Sequence, residues 1–270
     1  MEDVARPGRL VLIGHPVAHS LSPAMQNAAL QAAGLSLDYE ALNVPPGQLE
    51  IVARLLTEAN AAGNVTVPYK EEFFALCMRS SPVAARVGAV NTFWTEDGEL
   101  VGDNTDVGGF ERAVELTFGP PADHSRVAVL GAGGAAAAVL AAVERWEGAT
   151  ATIISRSHER GRALAARFPD IAVAAEDLAR GLEHATLVVN ATPVGLHGDA
   201  LPLDPAAIAA HTDAFDLAYR RSETPWVIAC RARGLRAADG REMLVEQGAL
   251  AFERWFGLPA DRHVMRRALA

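Results

Sequence analysis

Short apolar runs recur along this chain at the spacing of alternating strands and helices. Residues 10–13 read as a strand, followed by a loop through Ser20. Ser22-Pro23 then opens a helix, with serine as its N-cap and proline at the first helical position. Residues 39–44 and 64–67 are further strands, with a helix over about residues 48–61 between them. Two runs, 90–95 and 99–101, flank Glu96-Asp97-Gly98, whose Asp-Gly step marks a hairpin turn. A helix follows over residues 106–117, and Gly119-Pro120-Pro121 then breaks the chain as a linker does.

Beyond that break the alternation becomes more regular. Strands are expected at 127–130, 151–154, 187–190 and 214–217, with alanine-rich helices between them. A last amphipathic helix covers 241–256, with Leu244, Ala251, Phe252 and Trp255 as its apolar stripe. Strands alternating with helices at this spacing build parallel sheets covered on both faces, so the expected class is α/β with two αβα domains.

Composition narrows the function classes. The 270 residues carry a formal charge of −9, which disfavours nucleic acid as a partner. No apolar run is long enough for a membrane span or a leader, so an aqueous, cytoplasmic setting is expected. The two cysteines do not make a disulfide framework; Cys77, among Phe73, Phe74, Leu76 and Met78, reads as a core thiol of a helix. Of the 24 basic Lys and Arg residues, one is lysine, Lys70. Arginine holds charge but releases no proton at ordinary pH, so the lone lysine stands out where a titratable amine is needed.

Val127-Ala128-Val129-Leu130 runs directly into Gly131-Ala132-Gly133-Gly134-Ala135-Ala136, and a helix follows. Gly131, Gly133 and Ala136 occupy the G-x-G-x-x-G/A positions of a dinucleotide-binding turn. The first glycine permits the turn, the second admits a diphosphate close to the backbone, and helix N-terminal amides of Gly134 and Ala135 face the anion. At the end of the next strand an NAD site would place Asp or Glu. This chain has Ser155-Arg156-Ser157, with Arg160 one helical turn on, so a 2′-phosphate and NADP(H) are expected.

The first half supplies the polar chemistry. Asn64 and Thr66 share one face of a strand that Pro68 ends, and Lys70 follows at its C-terminal mouth, where open α/β sheets bind ligands. Asn91 and Asp106 stand at comparable positions. A lysine beside a carboxylate is suited to proton transfer between a ketone and a secondary alcohol, although Asp106 is equally well placed to cap the helix it opens. Ser20 and Ser22, beside a helix start, suit a substrate carboxylate. His15 and His19 lack an acidic partner for a metal site.

Taken in order, Ser20-Leu21-Ser22, Asn64-Val65-Thr66-Val67-Pro68-Tyr69-Lys70, Gly88-Ala89-Val90-Asn91-Thr92, Asp103-Asn104-Thr105-Asp106, the glycine turn, Ser155-Arg156-Ser157, Asn190-Ala191-Thr192, Asp216-Leu217-Ala218-Tyr219 and Asp239-Gly240 through Gln247 resemble the shikimate/quinate dehydrogenase family over nearly the whole chain. The resemblance implies reversible, NADPH-dependent reduction of 3-dehydroshikimate to shikimate, a step towards aromatic amino acids. It implies Lys70 and Asp106 as the catalytic pair. Ser20, Ser22, Asn64, Thr66, Asn91, Tyr219 and Gln247 would contact substrate. Gly131, Ala132, Gly133, Gly134, Ala135, Ser155, Arg156, Ser157, Arg160, Leu217 and Gly240 would bind cofactor. It further implies a discontinuous, mostly parallel substrate domain (1–106 with 240–270), a Rossmann domain (107–239) and a cleft between them, in a monomer or homodimer.

The chain departs from the family pattern at Ser155, where asparagine is usual, at Glu242, where a glycine often precedes Met243, and at Pro82, which takes no role. Three rivals share parts of the pattern. They are a quinate or amino-shikimate dehydrogenase using NAD(P), a folate-type methylene dehydrogenase, and a non-catalytic NADP-binding sensor. Arg156 weighs against NAD, the two serines with the Asp106 string against the folate enzyme, and the full set of polar residues against the sensor.

Overall fold

A computed structural model describes residues 6–270. The chain divides into two compact units, Met1–Gly109 with Leu244–Ala270, and Phe110–Met243. In the first unit the elements are β1 (Arg9–Gly14), α1 (Ser22–Ala32), β2 (Tyr39–Asn43), α2 (Leu49–Glu58), β3 (Ala61–Val65), α3 (Lys70–Leu76), β4 (Arg79–Ser80), α4 (Pro82–Val87), β5 (Thr92–Glu96) and β6 (Glu99–Asp103). Helix α5 (Asp106–Phe118) carries the chain into the second unit. There follow β7 (Arg126–Leu130), α6 (Gly134–Val143), β8 (Thr150–Ile154), α7 (His158–Arg167), β9 (Ala172–Ala174), α8 (Leu178–Leu182), β10 (Leu187–Asn190), β11 (Asp213–Asp216), α9 (Pro225–Ala232) and β12 (Ala237–Ala238). Helix α10 (Arg241–Phe256) leads back to the first unit, which α11 (Arg262–Arg267) completes.

The first sheet has the order β2-β1-β3-β5-β6-β4. Strand β1 pairs in parallel with β2 and β3, whereas β5 runs antiparallel to both β3 and β6, the 96–99 hairpin making the reversal. Its core includes Val11, Ile13, Leu49, Leu56, Phe73 and Phe93. Strand β3 starts three residues earlier than its apolar pattern suggests and ends at Val65. Ala61, Ala62 and Gly63 pair with Arg9, Leu10 and Val11, and a Cβ on Gly63 would stand 1.9 Å from the Val11 carbonyl oxygen, so only glycine fits.

The second sheet is wholly parallel, in the order β12-β11-β10-β7-β8-β9. Read by position in the unit this is the doubly wound dinucleotide order, with its reversal between β7 and β10. Its central strands β7, β10 and β11 are buried almost throughout, and Trp226 and Val227 of α9 share a core with Ala214.

Three local expectations are corrected. Ser22 is the first residue of α1 and Leu21 occupies its cap position, with no side-chain capping bond; the Ser20 hydroxyl instead accepts the Ser22 N–H at 3.2 Å. Gly119-Pro120-Pro121 ends α5 inside the second unit and does not separate the units, because the boundary falls within that helix. Cys77 follows α3 in extended conformation and is half-buried against the core, with its Sγ–H donating to the Phe73 carbonyl, while Met78 is exposed. Burial pushes the Cys77 thiol up to about 12. No helix among the described residues is long and apolar enough to cross a membrane.

Candidate active site

The parallel pairing of β1 with β3, and the registers Asn64 to Thr92 and Thr92 to Asp103, bring four loops to one edge of the first sheet. The segments after β1, β3 and β6 and the one before β5 carry Ser20 and Ser22, Thr66 and Lys70, Asp106, and Asn91 respectively. Backbone bonds lock three of these segments together. Val90 N–H donates to Lys70 O at 2.9 Å, Val65 N–H to Asn91 O at 2.9 Å, and Asn91 N–H to Asp103 O at 3.1 Å.

Lys70 begins α3 and Asp106 begins α5. Lys70 Nζ lies 2.6 Å from Asp106 Oδ2, and the side chains are 18% and 6% exposed. The ammonium therefore stays open to a ligand while its carboxylate partner is almost sealed. Asp106 does not spend its carboxylate on capping: Asn104 Oδ1 accepts the Asp106 N–H at 3.1 Å. Its other oxygen accepts from Asn91 Nδ2 at 2.8 Å. Asn91 also reaches Gln247 Oε1 at 3.2 Å and Thr105 Oγ1 at 3.0 Å, and its own oxygen accepts the Thr105 N–H at 2.7 Å. Gln247 enters this group because α5 is bare where α10 packs: a Cβ on Gly109 would stand 2.6 Å from Gln247 Cβ. The structure thus gathers Lys70, Asp106, Asn91 and Gln247 into one bonded network, and Asn64 joins through Nδ2 to Asn91 O at 3.1 Å.

Thr66 is half-buried and Ser22 buried, and neither hydroxyl has a protein partner among the described residues. Groups placed this way at a sheet edge are ready to meet a polar ligand. Asn104, Thr105 and Asp103 were not singled out by sequence reasoning, although all lie in the Asp103-Asn104-Thr105-Asp106 string. Asp103 Oδ1 accepts the Asn104 N–H at 2.7 Å and a short bond from Ser81 Oγ, and Arg254 Nε pairs with Oδ2 at 2.9 Å.

In the second unit Gly131 follows β7 with φ +115°, a backbone region that penalises any side chain, and its Cβ would meet the Ala191 carbonyl at 3.0 Å. Gly133 is the cap residue of α6, with no side chain to satisfy the helix amides, and a Cβ there would meet nothing within 4 Å. Open space in front of bare helix amides fits a diphosphate. Ala132, Gly134 and Ala135 line the same turn, half-exposed. Past β8, Ser155 is half-buried and Arg156 exposed, and no carboxylate pairs with Arg156 or Arg160 among the described residues. Ser157 caps α7, its Oγ accepting the Arg160 N–H at 3.3 Å, which leaves its own O–H to donate.

Leu217 and Tyr219 are half-exposed just beyond β11. Gly240 is buried before α10; its Cβ would stand 2.3 Å from the Leu217 carbonyl oxygen, so this glycine is required by close backbone approach. Beneath them Asp216 is fully buried and accepts from Thr224 Oγ1 at 2.7 Å, Asn190 Nδ2 at 2.7 Å and Ala218 N–H at 3.0 Å. Burial pushes its carboxyl up to about 6, against those bonds and with nearby Asp239 adding to the rise. Among the described residues no group of three or more His, Cys, Asp or Glu side chains could hold a metal ion.

Two family models match the chain: the shikimate dehydrogenase substrate binding domain over residues 12–93 and the shikimate 5'-dehydrogenase C-terminal domain over residues 240–270. A shikimate dehydrogenase (NADP(+)) of Symbiobacterium thermophilum is 42% identical, covering 97% of this chain and 94% of the relative. The shikimate 5-dehydrogenase of Thermus thermophilus, solved with NADP(H) and shikimate, superposes with a TM-score of 0.87 at 40% identity, covering 97% of this chain and 98% of that one. A quinate dehydrogenase from Corynebacterium glutamicum, solved with NAD, superposes with a TM-score of 0.84 at 29% identity, covering 96% and 97%. This chain belongs to the shikimate dehydrogenase family.

Proposed function

We propose that the protein reduces 3-dehydroshikimate to shikimate with NADPH, reversibly, and that Lys70 and Asp106 are its proton-transfer pair. The observation that carries the chemistry is the 2.6 Å contact between the chain's one lysine and a nearly sealed carboxylate. NADPH, when bound, supplies the hydride that reaches the carbonyl carbon. Lys70 Nζ then gives a proton to the developing alkoxide, and takes one from the hydroxyl in the reverse direction. Asp106, fixed by Asn91, holds the Lys70 amine in place for that transfer. Asn64, Thr66, Asn91 and Gln247 bind the ring hydroxyls. Ser20 and Ser22, beside the first turn of α1, bind the ring carboxylate. On the cofactor side, Gly131 to Ala135 hold the diphosphate, and Ser155, Arg156, Ser157 and Arg160 hold the 2′-phosphate. The absence of an acidic residue at the end of β8 favours NADP over NAD.

The test is NADP reduction by the purified protein with shikimate, with quinate and without substrate, repeated with NAD. Turnover with shikimate and NADP that exceeds the other pairs supports the reading. A preference for quinate with NAD overturns both the substrate and the cofactor assignment.

A further inference from the structure

We propose that Tyr39 is a positioning residue that fixes the orientation of the Asn64 side-chain amide, oxygen toward the phenol, so that its second N–H is the group held out to substrate. The proposal rests on the reading of Asn64 as a substrate contact. Tyr39 opens the edge strand β2 and is 2% exposed. Its hydroxyl crosses over β1, which lies between β2 and β3, and donates to Asn64 Oδ1 at 2.7 Å.

Three further contacts fix the phenol. Asn27 grips the Tyr39 backbone on both sides, accepting its N–H at 2.8 Å and donating to its carbonyl at 3.1 Å. The ring stacks on Trp255 with centroids 6.0 Å apart, and the Trp255 indole N–H donates to the Phe93 carbonyl at 3.2 Å.

An amide side chain offers two N–H donors and an oxygen with two lone pairs. Tyr39 donates to the oxygen of Asn64, and Asn91 O takes one N–H at 3.1 Å. The second N–H has no protein acceptor among the described residues. An amide free to turn would present either end to a ligand. Held this way its unused N–H is available to a lone pair of the ligand, such as that of a ring hydroxyl. The orientation of the amide that meets the ring is thus set by a phenol behind it.

Steady-state kinetics with shikimate and NADP on the wild type, Tyr39→Phe, Asn64→Ala and the double variant form the test. Phenylalanine keeps the ring stack and removes only the hydroxyl. Tyr39→Phe is expected to raise KM for shikimate about fivefold, the scale of one neutral hydrogen bond. It should leave kcat within about twofold and KM for NADP unchanged, and its effect should vanish in the Asn64→Ala background. Asn64→Asp keeps the acceptor that Tyr39 grips but has no N–H to give, and should raise KM for shikimate at least as much as alanine does. A Tyr39→Phe effect that persists undiminished without Asn64 would make the phenol merely structural and overturn the proposal. So would an unchanged KM in Tyr39→Phe or a near-normal KM in Asn64→Asp. If Asn64→Ala itself leaves KM for shikimate untouched, the assignment of Asn64 to the substrate site fails first, and the role of Tyr39 with it.

Discussion

Lys70 shows how much a single residue type reveals in a chain that otherwise uses arginine. Its uniqueness marks it in the sequence, but only the fold shows that Asn104 takes over the capping duty and leaves the Asp106 carboxylate free for the ammonium. Lys70→Ala should lower kcat by a factor of about 10² or more while KM for shikimate changes less. Lys70→Arg should fail to restore turnover, because the charge returns without a transferable proton; near-normal turnover in the arginine variant would remove the acid–base role. Asp216 was legible only as part of a family string, since nothing in the sequence says that Thr224 and Asn190 converge on it. Its carboxyl is raised to about 6, chiefly by burial, so the folded state holds the proton over a range where the unfolded chain has released it. The sign follows: this group favours folding below about pH 4, and that advantage is lost as pH rises towards 6. The unfolding free energy of the wild type minus that of Asp216→Asn should therefore fall between about pH 4 and 6, by up to about 3 kcal/mol, and flatten above. Chemical denaturation of both proteins across that range checks it, and a difference that rises with pH would contradict the burial of a costly charge.

Helices and strands were read from periodicity with uneven success, and the failures have physical causes. Residues 187–190 and 241–256 stand where their patterns place them, because each is a clean apolar run or stripe. Strand β3 was misplaced because Ala61, Ala62 and Gly63 carry too little side chain to look like a strand, although tight pairing with β1 requires small residues there. Helices α4, α9 and α11 are 6 to 8 residues long, too short for a helical period to rise above the background. The turn from β7 into α6 was legible in full, and its two marker glycines do different jobs. At Gly131 the positive φ and the nearby Ala191 carbonyl both oppose a side chain, so Gly131→Ala should destabilise the fold by about 1–3 kcal/mol. At Gly133 the backbone is extended (φ −107°, ψ −170°) and nothing stands near a Cβ, so alanine should leave the melting temperature unchanged. It should instead raise KM for NADP by about tenfold or more, since a methyl group would stand where the diphosphate must approach. Destabilisation by Gly133→Ala with unaltered NADP binding would reverse these assignments.

The whole chain is two αβα units of which the first is assembled from both ends of the sequence. Composition and alternation announced the class. The return of the C-terminus, however, was implied only by family resemblance, because nothing local in residues 244–270 tells which sheet they cover. In the structure α10 brings Leu244, Ala251, Phe252 and Trp255 into burial in the unit that β1 begins, and it delivers Gln247 to Asn91. What fixes α10 in turn is a buried carboxylate: Glu246 is 2% exposed and pairs with Arg262 Nε at 2.8 Å and Arg266 Nη2 at 2.7 Å, both on α11. Arg262 reaches back to Glu253 at 2.7 Å, so the last helix is pinned to α10 at two levels. Removing the carboxylate leaves two half-buried guanidinium groups without their central partner, and Glu246→Ala should cost about 3 kcal/mol, as breaking a buried ion pair does. Because each unit carries its own sheet and core, hydrogen exchange should accelerate in residues 6–109 and 244–270 and stay unchanged around β7, β8 and β10. Glu246→Ala should also raise KM for shikimate through the displaced Gln247 while KM for NADP holds. Equal acceleration of exchange in both units would mean that they unfold as one cooperative block, and the C-terminal segment would then stabilise the entire molecule rather than the unit it completes.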